Sequence, residues 1–251
     1  MPTSVALLVL LSALIHASWN AMLKGTKRPE AAVTSFALVS ALGAWSIAIP
    51  LGLRFVSLEA VGLAVGAGTM EAVYVLLLAK ALASAPLGQV YPLVRGGAVA
   101  LLWPASVIFL GEAVTPLSVI GTLSIVAGLA ATGLSDPGGR RAEAGRGLVF
   151  ASVASIFVAG YSFAHKLSLS AGGAPPLLYA LSLPTGFVIS AASQGRGGWR
   201  AAHDAFRRQP LRVVVAGLLG SAGFVLFLIA MRGSGAGAAL TLRNTSILFA
   251  Q

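Results

Sequence analysis

The sequence contains no cysteine and only seven acidic residues, and 10% of its 251 residues carry charge. Without cysteine, disulfides and thiolate metal sites are excluded. Ordinary water-soluble domains are about a quarter charged; this chain is 57% hydrophobic with a mean hydropathy of +0.89, so it belongs in lipid. Its 30 glycines follow no strict period of three, which excludes a collagen-like rod. No basic residue precedes the first apolar stretch. Lys24, Lys27 and Arg28 follow it instead, the wrong polarity for a cleaved signal, so that stretch reads as a retained helix.

What the chain does have is length of apolar run. A hydrocarbon core about 30 Å thick takes about 20 helical residues to cross. Runs of that kind fall at 4–23, 31–53, 58–80, 87–110, 116–134, 147–167, 175–193 and 211–232, and a ninth opens near 236 and is unfinished where the sequence stops. Strands of a membrane barrel would alternate over about ten residues, whereas these runs are continuously apolar. Breakers punctuate the connections, as in Ser84-Ala85-Pro86, Asp136-Pro137-Gly138-Gly139 and Gly172-Gly173-Ala174-Pro175-Pro176.

A net charge of +10 would point to nucleic acid in a soluble protein. Placing the charges removes that reading. Lys24, Lys27, Arg28, Lys80, Arg140, Arg141, Arg146, Arg196, Arg200, Arg207, Arg208 and Arg212 all fall on one side of the predicted spans. Arg54, Lys166 and Arg232 fall on the other. The positive-inside rule makes the richer side cytoplasmic and puts the N-terminus outside. The partner expected from these charges is therefore the lipid bilayer, with its anionic headgroups, not nucleic acid.

A weak internal repeat adds to this. At an offset of 142, Ser18-Trp19-Asn20 superposes on Gly160-Tyr161-Ser162 and Lys24 on Lys166. At an offset of 148, Arg95 falls on Arg243. With an odd number of spans per copy the second copy is inverted, the architecture of alternating-access carriers; chance matching of apolar helices is the alternative.

Three blocks carry a family resemblance: Ala13-Leu14-Ile15-His16-Ala17-Ser18-Trp19-Asn20-Ala21-Met22-Leu23-Lys24, Gly88-Gln89-Val90-Tyr91-Pro92-Leu93-Val94-Arg95-Gly96, and Phe109-Leu110-Gly111-Glu112-Ala113-Val114-Thr115-Pro116 leading into Ile125-Val126-Ala127-Gly128. Together they resemble an EamA-type transporter of the drug/metabolite transporter superfamily. That resemblance implies an all-α membrane protein, a polytopic helical bundle of two inverted five-helix repeats. Residues 1–134 would form the first repeat, 135–146 a linker and 147–251 a second repeat truncated in its fourth helix. It further implies a multi-pass plasma-membrane protein that exports or exchanges a small polar or anionic metabolite by secondary transport, with no cofactor and no enzymatic activity. Members of the family normally continue through a second Gly-Glu turn and a tenth helix, so the sequence is expected to be incomplete. Asn244 stands where similar members of the family often have Glu after the arginine.

Each ionisable residue at mid-membrane costs at least about 2.5–3.5 kcal/mol to insert, so each needs a partner or a purpose. His16, Trp19 and Asn20 share a helical face. His16 also stands eight residues before Lys24, the spacing at which small multidrug transporters of the superfamily carry a membrane glutamate. It could couple protons to substrate, or be a neutral histidine bonded between helices. Glu71, with Tyr74 one turn on, either pairs with Arg95 structurally or leaves Arg95 and Arg243 to bind an anion through their two-pronged donors. Tyr91, Gln89, Asn20, Tyr161, Ser162 and Asn244 would then orient the substrate.

The remaining features read as structural. Gly62 and Gly66, and Gly217 to Gly220, are expected to pack helices closely, with a homodimer as the alternative. Pro92, Pro104 and Pro184 interrupt helices. Glu112 is expected at a helix end, and Lys24, Lys80, His165, Lys166 and Arg232 as span-end anchors. His203 and Asp204 fall in a solvated basic loop. A lipid-modifying membrane enzyme or a non-transporting assembly subunit remain the alternatives. The first lacks HExxH or paired acidic motifs, and GxxxxGK[ST] is absent as well, which argues against ATP-driven pumping.

Overall fold

Inside hydrocarbon a backbone amide cannot exchange its partner for water, so apolar runs close their hydrogen bonds within helices. The computed structural model describes residues 1–24, 29–51, 56–134 and 141–246. Lys27, Arg28, Arg54, Arg140 and residues 247–251 lie outside it, as do the side chains of Lys24, Arg141 and Arg196. The described residues form α1 (Thr3–Lys24), α2 (Pro29–Ala48), α3 (Leu58–Ser84), α4 (Leu87–Leu110), α5 (Pro116–Leu134), α6 (Arg141–Ser170), α7 (Pro175–Ser193), α8 (Gly198–Arg208), α9 (Pro210–Arg232) and α10 (Ala236–Arg243), and no strands. Six are long and apolar enough to cross a membrane, which fits a multi-pass membrane protein.

The breakers act where the chain turns. Proline opens α2, α5, α7 and α9, where its missing N–H costs nothing. Gly111 closes α4 at φ +64°, a left-handed conformation that favours glycine. At α3 the Ser57 hydroxyl accepts from the Ala60 amide at 3.1 Å. Pro92 and Pro104 lie within α4 and Pro184 within α7, and none ends its helix.

Several boundaries differ from the sequence expectation. α2 ends at Ala48, five residues early, while α3 runs on to Ser84. α6 begins at Arg141, so the expected linker 135–146 is helical over its last part. The seventh-to-eighth connection is not a loop: it contains α8, placing His203 and Asp204 on a helix. The ninth run is helical over Ala236–Arg243, turns at Asn244 and Thr245 and is helical again at Ser246, and its continuation lies outside the described residues.

Packing sets the arrangement. α3 lies against α6 and α7, α1 against α9, α2 against α7 and α9, and α4 against α6 and α5. α10 touches α1 and α4. Hydroxyls bridge these contacts: Ser12 donates to Gly223 O at 2.7 Å, Ser221 to Ser40 O at 2.7 Å and Ser168 to Ala60 O at 2.6 Å.

Glycine permits the closest crossings. A Cβ on Gly217 would press on Val39, and one on Gly220 on Phe36, as the sequence led one to expect. Gly62 and Gly66 behave differently: a Cβ at either would meet nothing within 4 Å, so their spacing brings no helix close among the described residues. The close contact on α3 is two residues on, at Gly68, where a Cβ would overlap the Ser182 carbonyl and crowd Thr185 of α7. Gly68→Ala is therefore expected to destabilise the folded protein by about 1–3 kcal/mol, read as a lower unfolding temperature in detergent. Gly62→Ala should leave that temperature unchanged, and equal behaviour of the two would refute this account of the crossing.

Candidate functional site

Arg95 on α4 and Arg243 at the end of α10 are both buried in the bundle. A guanidinium there needs partners, because each unmet donor has left water for an apolar interior. For Arg95, Nη2 lies 3.3 Å from Nε2 of His16 on α1. Arginine only donates, so Nε2 is the accepting nitrogen and is unprotonated in this contact. Arg95 also lies over the rings of Tyr91 and Tyr74, at 5.8 and 6.0 Å from their centroids. The Asn244 side-chain amide donates to the Arg95 carbonyl at 3.1 Å, tying α10 to α4 at the point where α10 ends.

Arg243 is held differently. Its guanidinium lies over Phe227 at 4.2 Å and Phe224 at 4.6 Å, both on α9. These ring faces offset part of the charge's desolvation without consuming its donors. Nε of Arg243 is buried without a hydrogen-bond partner. Phe224 stacks in turn on Tyr179 of α7 at 4.4 Å.

Glu71 on α3 lies within electrostatic reach of Arg95, Arg243, Tyr161 and Tyr179. Arg95 and Arg243 act on it through charge alone: among the described residues it forms neither an ion pair nor a hydrogen bond, so the structural Glu71–Arg95 pair is not made. The cluster thus contains two guanidinium groups and one carboxylate, none bonded to another, at the meeting of α1, α3, α4, α6, α7, α9 and α10.

The expected site residues divide by position. His16, Glu71, Tyr74, Tyr91, Arg95, Tyr161 and Arg243 come together, with Tyr74 and Tyr161 rings 6.1 Å apart. Trp19 stands at the edge, its ring 5.0 Å from His16 and stacked on Phe36 at 4.4 Å. Asn20 donates to the His16 carbonyl at 2.7 Å and Ser162 to Val158 O at 2.8 Å, each within its own helix. Asn244 donates to the backbone of Arg95, beside the cluster. Gln89 leaves its Oε1 buried and unpartnered.

Two expected anchors are also corrected. His165 does not snorkel: it is fully buried, with both ring nitrogens unpartnered and its ring 5.3 Å from Phe224. Because α6 extends to Ser170, residue 165 sits more than a turn inside the helix. Lys166 donates to the carbonyls of Met231 at 2.8 Å and Ser234 at 2.6 Å, closing the C-terminal end of α9. Tyr179, Phe224 and Phe227 were missed in the sequence, where they carried no signal beyond being aromatic in apolar runs.

The support for Arg243 extends to the far end of its helix. Glu112, just past α4, accepts from the Ala236 amide at 2.5 Å, at the positive start of α10, and its carboxylate lies against Gly235. Glu112 and Lys166 thus grip the α9–α10 turn from two sides. Among the described residues no group of three or more His, Cys, Asp or Glu could hold a metal ion.

No protein-family model matches the chain, and no curated protein matches it in sequence. A solved structure described only as "Crystal structure of protein" is similar in fold, with a TM-score of 0.60 and 17% identity. The match covers 100% of this chain and 90% of that one. The class defined by fold and site is a multi-pass helical membrane protein with a charged cluster buried among its helices.

Removing the cap on α10 tests this support. Glu112→Ala is expected to cost about 1 kcal/mol, seen as a lower midpoint of thermal unfolding, and Glu112→Gln, which keeps an acceptor oxygen, should recover most of it. Three equal midpoints would contradict the capping role.

Proposed function

We propose that this protein is a secondary transporter of the EamA type, within the drug/metabolite transporter superfamily, moving a small anionic metabolite by alternating access. The observation that carries the reading is the pair of buried arginines, one stacked on aromatic faces and one bonded to a histidine, neither neutralised by a carboxylate. A structural ion pair would satisfy such charges permanently. Guanidinium groups without a carboxylate partner inside a membrane protein suit a ligand that arrives with its own negative charge.

The contact pattern supports the inverted repeat. Exchanging α1 with α6, α2 with α7, α3 with α9 and α4 with α10 turns the α1–α9 contact into α6–α3, α2–α9 into α7–α3, and α4–α6 into α10–α1, all of which are present. The α2–α7 and α4–α10 contacts map onto themselves. Arg95 and Arg243 then occupy equivalent helices on either side of the exchange axis. Two equivalent halves around a charged centre are what alternating access uses, since swapping their conformations moves the opening across the membrane.

Proton coupling takes a particular form in this reading. His16 can bind a proton at Nε2 only by giving up its contact with Arg95, so neutral Nε2 and an anionic substrate compete for the same guanidinium, and protonating His16 frees Arg95 for the substrate.

Reconstitution tests the proposal. In liposomes, uptake of an anionic metabolite driven by a pH gradient should fall at least tenfold in Arg95→Ala and Arg243→Ala variants that still fold. Flux undiminished in both would remove the arginines from the transport site. A lipid-modifying enzyme would instead form product in detergent without a sealed vesicle.

A further inference from the structure

The helix that replaces the expected basic loop is the most strongly amphipathic element of the chain, and the transport site does not use it. α8 reads Gly-Trp-Arg-Ala-Ala-His-Asp-Ala-Phe-Arg-Arg from Gly198 to Arg208. Gly198 and Ala202 are buried, and the Ser35 hydroxyl of α2 donates to the Ala202 carbonyl at 2.7 Å. One face is therefore bound firmly to the membrane-crossing bundle, so α8 cannot stand away from it.

The opposite face exposes Arg200, His203, Asp204, Arg207 and Arg208. Arg200, His203, Asp204 and Arg207 fall at i, i+3, i+4 and i+7, one stripe of the helix. Asp204 offsets one positive charge, and the surface stays positive. Trp199 lies at the boundary between the two faces, 56% exposed, with its ring edge-on to Phe187 of α7 at 5.2 Å. On α7 above it, Val188 is 60% exposed, and Leu211 at the start of α9 is 75% exposed. Such large apolar side chains on a membrane protein's outer surface face lipid tails. From Val188 through Trp199 to the arginines, the surface thus passes from hydrocarbon-facing to aromatic to cationic, the order of a bilayer's own layers.

We propose that α8 is an interfacial anchor that lies in the headgroup layer and binds anionic phospholipid through Arg200, Arg207 and Arg208, with Trp199 at the level of the glycerol backbone. Charge complementarity selects this occupant: a positive stripe next to an exposed indole, fixed at the end of two membrane helices, meets phosphate and acyl chain together. By tying α7 and α9 to the leaflet, α8 gives the second half of the molecule a fixed depth in the membrane.

The absence of native cysteine makes Trp199→Cys a clean reporter. Labelled with bimane in vesicles of phosphatidylcholine and phosphatidylglycerol, position 199 should be quenched by lipids brominated high on the acyl chain and shielded from aqueous iodide. In native mass spectrometry, the triple variant Arg200→Gln, Arg207→Gln, Arg208→Gln should retain phosphatidylglycerol about a hundredfold more weakly. Retention of phosphatidylcholine should not change, and the triple lysine variant should keep the anionic lipid. Quenching by iodide but not by brominated lipid, or equal phosphatidylglycerol retention in the glutamine variant, would overturn the proposal. Neither readout depends on whether the protein transports anything.

Discussion

Charge in hydrocarbon is the constraint around which this molecule is arranged. Two guanidinium groups lie inside a bundle of apolar helices, with one carboxylate in reach and bonded to neither. Each is kept by a different compromise. Arg95 leans on a histidine acceptor and two tyrosine rings, and Arg243 rests on two phenylalanine faces. Nε of Arg243 has no hydrogen-bond partner, and neither guanidinium is paired with a carboxylate, which is where both differ from a structural ion pair.

The rest of the fold delivers those side chains to one place. Close crossings at Gly68, Gly217 and Gly220 bring α3 to α7 and α9 to α2. Serine hydroxyls direct their donors to carbonyls of neighbouring helices, adding direction to contacts that van der Waals packing alone leaves free to slide. Glu112 and Lys166 hold the turn between α9 and α10, which sets where α10 ends and hence where Arg243 points. Glu112 and Lys166 thereby help to position a charge inside the bundle.

Much of this was legible in the residues. Continuous apolar runs located the helices, and the cost of inserting ionisable groups singled out His16, Glu71, Arg95 and Arg243 before any geometry was known. What sequence could not supply was neighbourhood. Spacing drew attention to Gly62 and Gly66, yet which glycines touch another helix depends on how α3 is rotated, and Gly68 proved to be the one. His165 read as a span-end residue because hydropathy falls before the helix does. α8 escaped because its charge outweighs its apolar face in any average along the chain, although Trp199, Ala202 and Phe206 recur at helical spacing. Tyr179, Phe224 and Phe227 differ from other aromatic residues in apolar runs only by what lies beside them.

The central claim is that the cluster around Arg95 and Arg243 faces water and a ligand, not sealed protein. The Glu71→Cys variant of this cysteine-free chain, reconstituted and exposed to a small, charged thiol reagent, tests it most directly. The introduced thiol should react despite its depth in the bilayer, and an anionic substrate should slow the reaction. A thiol at position 71 that stays unreactive in folded protein, while a His203→Cys control on the exposed face of α8 labels normally, would contradict the claim.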